Sequence, residues 1–89
     1  MNKFYALTKD FSQMCEKFYW YLSIVSEIEQ DGEDPKVIKD LAKDYLKKVI
    51  IPKEKELEER MLEKLPKVTA TRLISELQME VIQMEKGID

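Results

Sequence analysis

The sequence predicts an all-α fold, a small helical bundle of three helices, or four if Pro52 breaks the middle one. Three observations predict it: apolar residues recur every three or four positions, start and stop residues stand at the segment edges, and no stretch shows the two-residue alternation of a strand. A single domain is expected over residues 1–89, with helices at 3–30, 35–65 (kinked near residue 52) and 69–86.

The first helix rests on Phe4, Leu7, Phe11, Met14, Phe18, Tyr21, Val25 and Ile28, which alternate in steps of 3 and 4. Asn2 is a suitable N-cap, Lys9, Glu16, Ser23 and Gln30 are polar on the opposite side, and Asp31-Gly32 supplies the stop. At roughly 1.5 Å per residue such a helix is about 40 Å long.

Asp34 as cap and Pro35 at the first helical position start the second helix, because a proline there lacks only an N–H that would have no partner. Its stripe is Ile38, Leu41, Ala42, Tyr45, Leu46, Val49 and Ile50, resuming beyond Pro52 at Leu57, Met61, Leu62 and Leu65. No glycine or turn cluster surrounds Pro52, which favours a kinked continuation over a new helix. Pro66 interrupts the pattern, and Thr69 or Thr71 is the expected cap of a third helix carrying Ala70, Ile74, Leu77, Val81, Met84 and Ile88.

Short connections imply that helices one and two are antiparallel neighbours. Helices this long in a chain this small leave their far ends without partners, so dimerisation is expected to complete the core.

Composition removes several classes of chemistry. There is no histidine and one cysteine, so zinc sites, histidine-based triads and an intramolecular disulfide lack their residues. Gly32 and Gly87 stand 55 positions apart, which leaves nowhere for a glycine-rich phosphate loop. No cofactor and no metal are expected. The lone cysteine and the lack of a leader ahead of the first periodic segment point to a cytoplasmic protein, and no apolar run suits a membrane. Basic and acidic residues number 15 and 18 and are mixed along the chain, which argues against a nucleic-acid footprint.

The most unusual feature is aromatic. Seven of the eight aromatic residues lie within the first 21 positions, and Phe18-Tyr19-Trp20-Tyr21 are consecutive. Successive helical residues step by about 100°, so these rings point all the way round the helix, while a small bundle buries one stripe. Tyr19 and Trp20 are therefore the expected partner-binding residues, with Tyr5 fourteen positions before Tyr19 and on the same side.

Other patterns have ordinary explanations beside functional ones. The acids from Glu27 to Asp34 resemble the first half of an EF-hand loop, but Pro35 and Ile38 occupy positions where ligands belong, and a helix end followed by a cap accounts for the same residues. Lys36, Lys39, Lys43 and Lys47 form a basic stripe, a solvated face or a dock for an acidic partner. Glu56 and Glu59 match the first paired-acid motif of all-helical nucleotide pyrophosphohydrolases, but no Glu-x-x-Asp follows, and periodicity puts the carboxylates on the exposed side. Cys15 has no histidine to activate it.

The function these residues predict is non-catalytic: a small cytoplasmic helical protein-interaction module of the inhibitor, antitoxin, immunity or adaptor type. It would bind another protein through helix faces and form a homodimer. One alternative is a helix-turn-helix DNA-binding regulator over residues 54–83, reading bases with Thr69, Thr71, Arg72, Ser75 and Gln78. Arg72 is the one guanidinium on the second helix of that segment, which is little for phosphate-driven affinity. A second alternative is a self-assembling structural component.

Overall fold

The computed structural model describes the backbone of residues 3–88 and the side chains of residues 9–88. Among them there is no strand, and the elements are α1 (Lys3–Gln30), α2 (Lys36–Tyr45), a π-helical turn (Leu46–Ile50), α3 (Ile51–Lys64) and α4 (Lys67–Ile88). The segments from α2 to α3 follow without interruption, so the described chain forms three helical rods.

α1 stops where a left-handed residue is needed. Gly32 has φ +79°, its N–H donates to the Glu29 carbonyl at 3.0 Å, and the Glu33 N–H donates to the Ile28 carbonyl at 3.1 Å. This is the Schellman arrangement, in which glycine carries no Cβ penalty. Glu27 and Glu29 are helical and exposed, so the acidic stretch is a helix end and not a ligand loop. Asp34 Oδ1 then accepts the Lys36 N–H at 3.1 Å, and the Pro35 carbonyl accepts the Lys39 N–H at 2.9 Å. Pro35 itself stands at the cap, one place ahead of the first helical residue.

The middle rod passes through Pro52 as a continuous helix, but its irregularity lies upstream of the expected kink. The Ile51 N–H reaches five residues back to the Leu46 carbonyl, widening the turn just before a residue that has no N–H to offer. The core residues explain the position. Ala42, Leu46, Ile50 and Glu54 are buried at steps of four, and in a regular α-helix each such step overshoots a full turn by about 40°. The wide turn takes up the excess and keeps Leu46 and Ile50 in line with Leu57 and Met61.

α4 begins at Lys67, two residues before the expected Thr69, because the break is made by Leu65 and Pro66. Leu65 is extended (φ −118°, ψ 155°), as a residue preceding proline prefers, and the Pro66 carbonyl accepts the Ala70 N–H at 2.9 Å. Thr69 and Thr71 therefore lie inside the helix and are not caps; the Thr71 hydroxyl donates back to the Lys67 carbonyl at 2.9 Å. The helix continues to Ile88, which is buried, past the expected end at residue 86.

The core draws Phe11, Cys15 and Phe18 from α1, Ala42, Leu46, Ile50, Leu57 and Met61 from the middle rod, and Ala70, Val81, Met84 and Ile88 from α4. Phe18, Ile50, Leu57, Met61 and Met84 are fully enclosed, each contributing about 1.5 to 3 kcal/mol by leaving water. Tyr21 meets Tyr45, and Phe11 lines the same groove as Met61, so numbering falls along the middle rod as it rises along α1. α4 runs the same way as α1, with Tyr19 beside Glu80 and Leu22 beside Gly87. The molecule measures 50 × 23 × 18 Å. No helix among the described residues is long and apolar enough to cross a membrane.

Candidate protein-binding surface

The consecutive aromatics divide between two flanks of α1. Phe18 enters the core, Tyr19 and Trp20 turn away from it, and Tyr21 comes back round to lie half-buried against it. Tyr19 faces α4, where its hydroxyl donates to Glu80 Oε1 at 2.9 Å, and its ring meets Phe18 edge-on at 5.9 Å. Trp20 is 58% exposed and lies 5.5 Å from the Tyr21 ring, which in turn stands edge-on to Tyr45 of α2 at 5.9 Å. Lys17 Nζ sits 5.2 Å from the Tyr45 ring centre, a cation–π contact that closes this seam. Sequence reading placed Tyr19 and Trp20 in one contact set; the structure separates them, because neighbours on a helix diverge by about 100°. Tyr5 lies outside the residues whose side chains are described.

On the Trp20 flank the apolar surface extends along both helices. Ile24 follows Trp20 by one turn and is half-buried, while Leu41 and Val37 precede Tyr45 by one and two turns and are exposed. A strip of aromatic and aliphatic groups thus runs along the α1–α2 seam.

On the Tyr19 flank, α1 and α4 enclose a groove of about 480 Å³ floored by Met61. Phe11 and Cys15 form one wall, Leu73 and Leu77 the other, and the charged residues lining it among the described ones are acidic: Glu16, Glu76 and Glu80. Burial, and then the Glu80 charge, pushes the Cys15 thiol up to about 12. Tyr19 is likewise pushed up to about 12, by burial first and then by its hydrogen bond to Glu80. A protonated thiol of this kind is the opposite of an activated nucleophile.

A third surface was not anticipated. Val68, Arg72, Ser75, Met79, Ile82 and Lys86 follow one another at steps of 4, 3, 4, 3 and 4, and all six are exposed. α4 therefore carries two stripes at helical spacing, and the three rods cover only one of them. The second stripe was legible in the spacing, but the stronger pattern beginning at Ala70 masked it.

The residues of the DNA-reading alternative are largely engaged within the chain. Gln78 Nε2 donates to Glu58 Oε1 at 2.8 Å, Arg72 is 3.8 Å from Glu76, Thr71 is bonded to its own helix, and Thr69 is half-buried; Ser75 is exposed. The Glu58–Gln78 bond and the electrostatic reach between Glu54 and Glu85 show α3 and α4 lying side by side. A helix-turn-helix needs a crossing of about 90° to 120°.

Of the paired acids, Glu56 is held by Lys53 at 3.4 Å and Arg60 at 3.3 Å, and Glu59 is exposed. Among the described residues no three potential ligand groups come together as a metal site would require. One carboxylate departs from the expectation that all lie on the exposed side. Glu54 is 9% exposed, and its Oε2 has no hydrogen-bond partner among the described residues. Burial, then Glu58 and Glu85, push its carboxyl above the ordinary range, with Lys55 opposing. Its position was readable, four residues after Ile50 and three before Leu57 on the apolar stripe.

Lys36, Lys43 and Lys47 are exposed and Lys39 half-buried; none of the four is in a salt bridge among the described residues, whereas Lys48 pairs with Asp44 at 3.9 Å. Lys43 and Lys47 border a hollow of about 330 Å³ with Leu46, Ile51, Glu85 and Ile88.

A scan against protein-family models and searches of curated proteins and of solved structures returned no match to this chain.

Proposed function

We propose that the protein is a non-catalytic helical interaction module of the inhibitor, antitoxin, immunity or adaptor type, acting in the cytoplasm on another protein. The observation that carries this reading is Trp20, the largest side chain in the molecule, left 58% exposed at the edge of the Tyr21–Tyr45 ring stack. Tryptophan and tyrosine anchor protein interfaces because they desolvate a large area for few frozen torsions. Leu41 and Val37, one and two turns before Tyr45 on α2, add exposed aliphatic area on that helix. The chemistry of the single cysteine agrees, since its thiol is buried and held in the protonated form.

The reading includes a second copy of the chain. A homodimer would complete a helical bundle whose rods span 50 Å but whose breadth is 23 × 18 Å, and would cover apolar groups that small cores leave exposed.

The test compares two baits in lysate of the native cell, the wild-type chain and Trp20→Ala, each treated with nuclease. A stoichiometric protein retained by the wild type and lost by Trp20→Ala is the expected result. Equal retention by both baits overturns the assignment of Trp20, and recovery that depends on nucleic acid moves the helix-turn-helix reading ahead, with Arg72 the residue to change.

A further inference from the structure

We propose that the last two turns of α4 form a pH-controlled clasp on the middle rod, held closed while the Glu54 carboxyl carries its proton and loosened when it ionises. The device is independent of the Trp20 seam. Two separate observations meet at this place. One is how α4 is tied down. Its side-chain hydrogen bonds to other helices among the described residues are Gln78 to Glu58 at 2.8 Å and Tyr19 to Glu80 at 2.9 Å. Past Glu80 there is no further side-chain hydrogen bond or salt bridge to another helix among the described residues. That end is held by apolar burial alone, at Val81, Met84 and Ile88.

The other observation is what the free end covers. α3 and α4 are antiparallel and meet at Glu58 and Gln78, so one turn back along α3 lies opposite one turn further along α4. Glu54 therefore faces the segment beyond the last tie. It is nine-tenths buried, and its Oε2 has no hydrogen-bond partner among the described residues. The charges that act on it are Glu58 and Lys55 from its own rod and Glu85 from α4, and α1 contributes none among the described residues. Glu85 itself lies with Lys43 and Lys47 around the hollow at the end of the bundle.

A protonated carboxyl is neutral and tolerates this site, whereas an ionised one is a buried charge without a partner, set between two like charges. Lifting the end of α4 relieves both penalties, because water reaches Glu54 and Glu85 moves away from it. Burial, then Glu58 and Glu85, hold the Glu54 carboxyl above its ordinary value of 4.5 in the closed form. Closure is therefore fully favoured below 4.5 and weakens as pH rises through the higher closed-state value. A helix end opens at lower cost than the whole domain, so the relief is local. Opening bares Val81, Met84 and Ile88, so apolar surface is uncovered more readily near neutral pH and kept covered in acid.

Residue-resolved amide hydrogen exchange on the full chain between about pH 4.5 and pH 8, corrected for the intrinsic pH dependence of exchange, tests the clasp. Protection of residues 81–88 is expected to fall about tenfold or more relative to residues 70–78 as pH rises. In Glu54→Gln, which cannot ionise at this position, that relative protection should stay constant; Glu54→Met replaces it if the buried amide prevents folding. Glu85→Gln should show a smaller fall than the wild type, since one of the two like charges is gone. A wild type whose relative protection does not change with pH would overturn the clasp, as would an equal loss along all of α4. A Glu54→Gln or Glu54→Met protein that loses protection as the wild type does would overturn the assignment to Glu54.

Discussion

The Tyr19 hydroxyl donates a 2.9 Å hydrogen bond to Glu80 Oε1, which links the N-terminal helix to the C-terminal helix beside the groove that both residues line. The bond joins residues 61 positions apart and lies in exposed surroundings. Tyr19→Phe is therefore expected to lower stability in urea by less than about 1 kcal/mol. Its clearer signature is spectroscopic. Burial and Glu80 push the phenol up to about 12, so its contribution to stability is fully present below the ordinary value near 10 and is lost as pH rises through about 12. Absorbance titration of the folded protein should show a late phenolate step that Tyr19→Phe removes; an unchanged titration curve would refute the bond.

Glu54 should behave as a destabilising residue at neutral pH. Its carboxyl is raised in the folded state by burial, Glu58 and Glu85, so its contribution is fully favourable below the ordinary value of 4.5 and is lost as pH rises through the higher folded value. Replacing the unpartnered group by an apolar one of similar length, Glu54→Met, is expected to stabilise by about 1 to 3 kcal/mol at pH 7. The gain should shrink toward pH 4. Urea midpoints of both proteins at several pH values decide it, and a Glu54→Met protein less stable than wild type at pH 7 would contradict the burial.

Phe18 and Trp20 are two positions apart and should respond oppositely to truncation. Phe18 has no exposed surface, and Phe18→Ala is expected to cost about 3 to 5 kcal/mol through lost burial and the cavity left behind. Trp20 is mostly in water, and Trp20→Ala should cost less than about 1 kcal/mol while abolishing partner capture. Thermal melts of the two variants measure the difference; comparable losses would mean that the helix is rotated from the orientation described.

Gly32 is the glycine whose conformation matters. With φ +79°, Gly32→Ala is expected to destabilise by about 1 kcal/mol, although a Cβ there meets nothing within 4 Å. Gly32→Asn should lose less, because asparagine enters the left-handed region more readily. Equal stability of wild type and Gly32→Ala would show that α1 does not end in a Schellman turn.

Most of the secondary structure was legible in the sequence, because helices advertise themselves through periodicity. The 3,4 alternation from Phe4 to Ile28 and the stop at Gly32 anticipated α1, and the absence of turn residues around Pro52 anticipated an uninterrupted middle rod. The wide turn at Leu46–Ile50 was less visible, although four buried positions at steps of four were its signature. Thr69 and Thr71 were misread as caps because a hydroxyl can bond forward to a free N–H or back to a carbonyl, and the sequence does not distinguish the two.

The candidate site was legible only in part, for a different reason. Trp20 was recognisable as surplus to a single buried stripe, but its separation from Tyr19 depends on where α2 and α4 lie against α1. The sequence by itself determined the helices, their stops and the stripe each must bury, because those follow from local backbone geometry and apolar spacing. Only the tertiary structure decided that Tyr19 would meet Glu80, and that of the two stripes on α4 the one beginning at Val68 would be left in water. Those outcomes depend on which helix faces are brought together, and the pattern of a single helix holds no information about its neighbours.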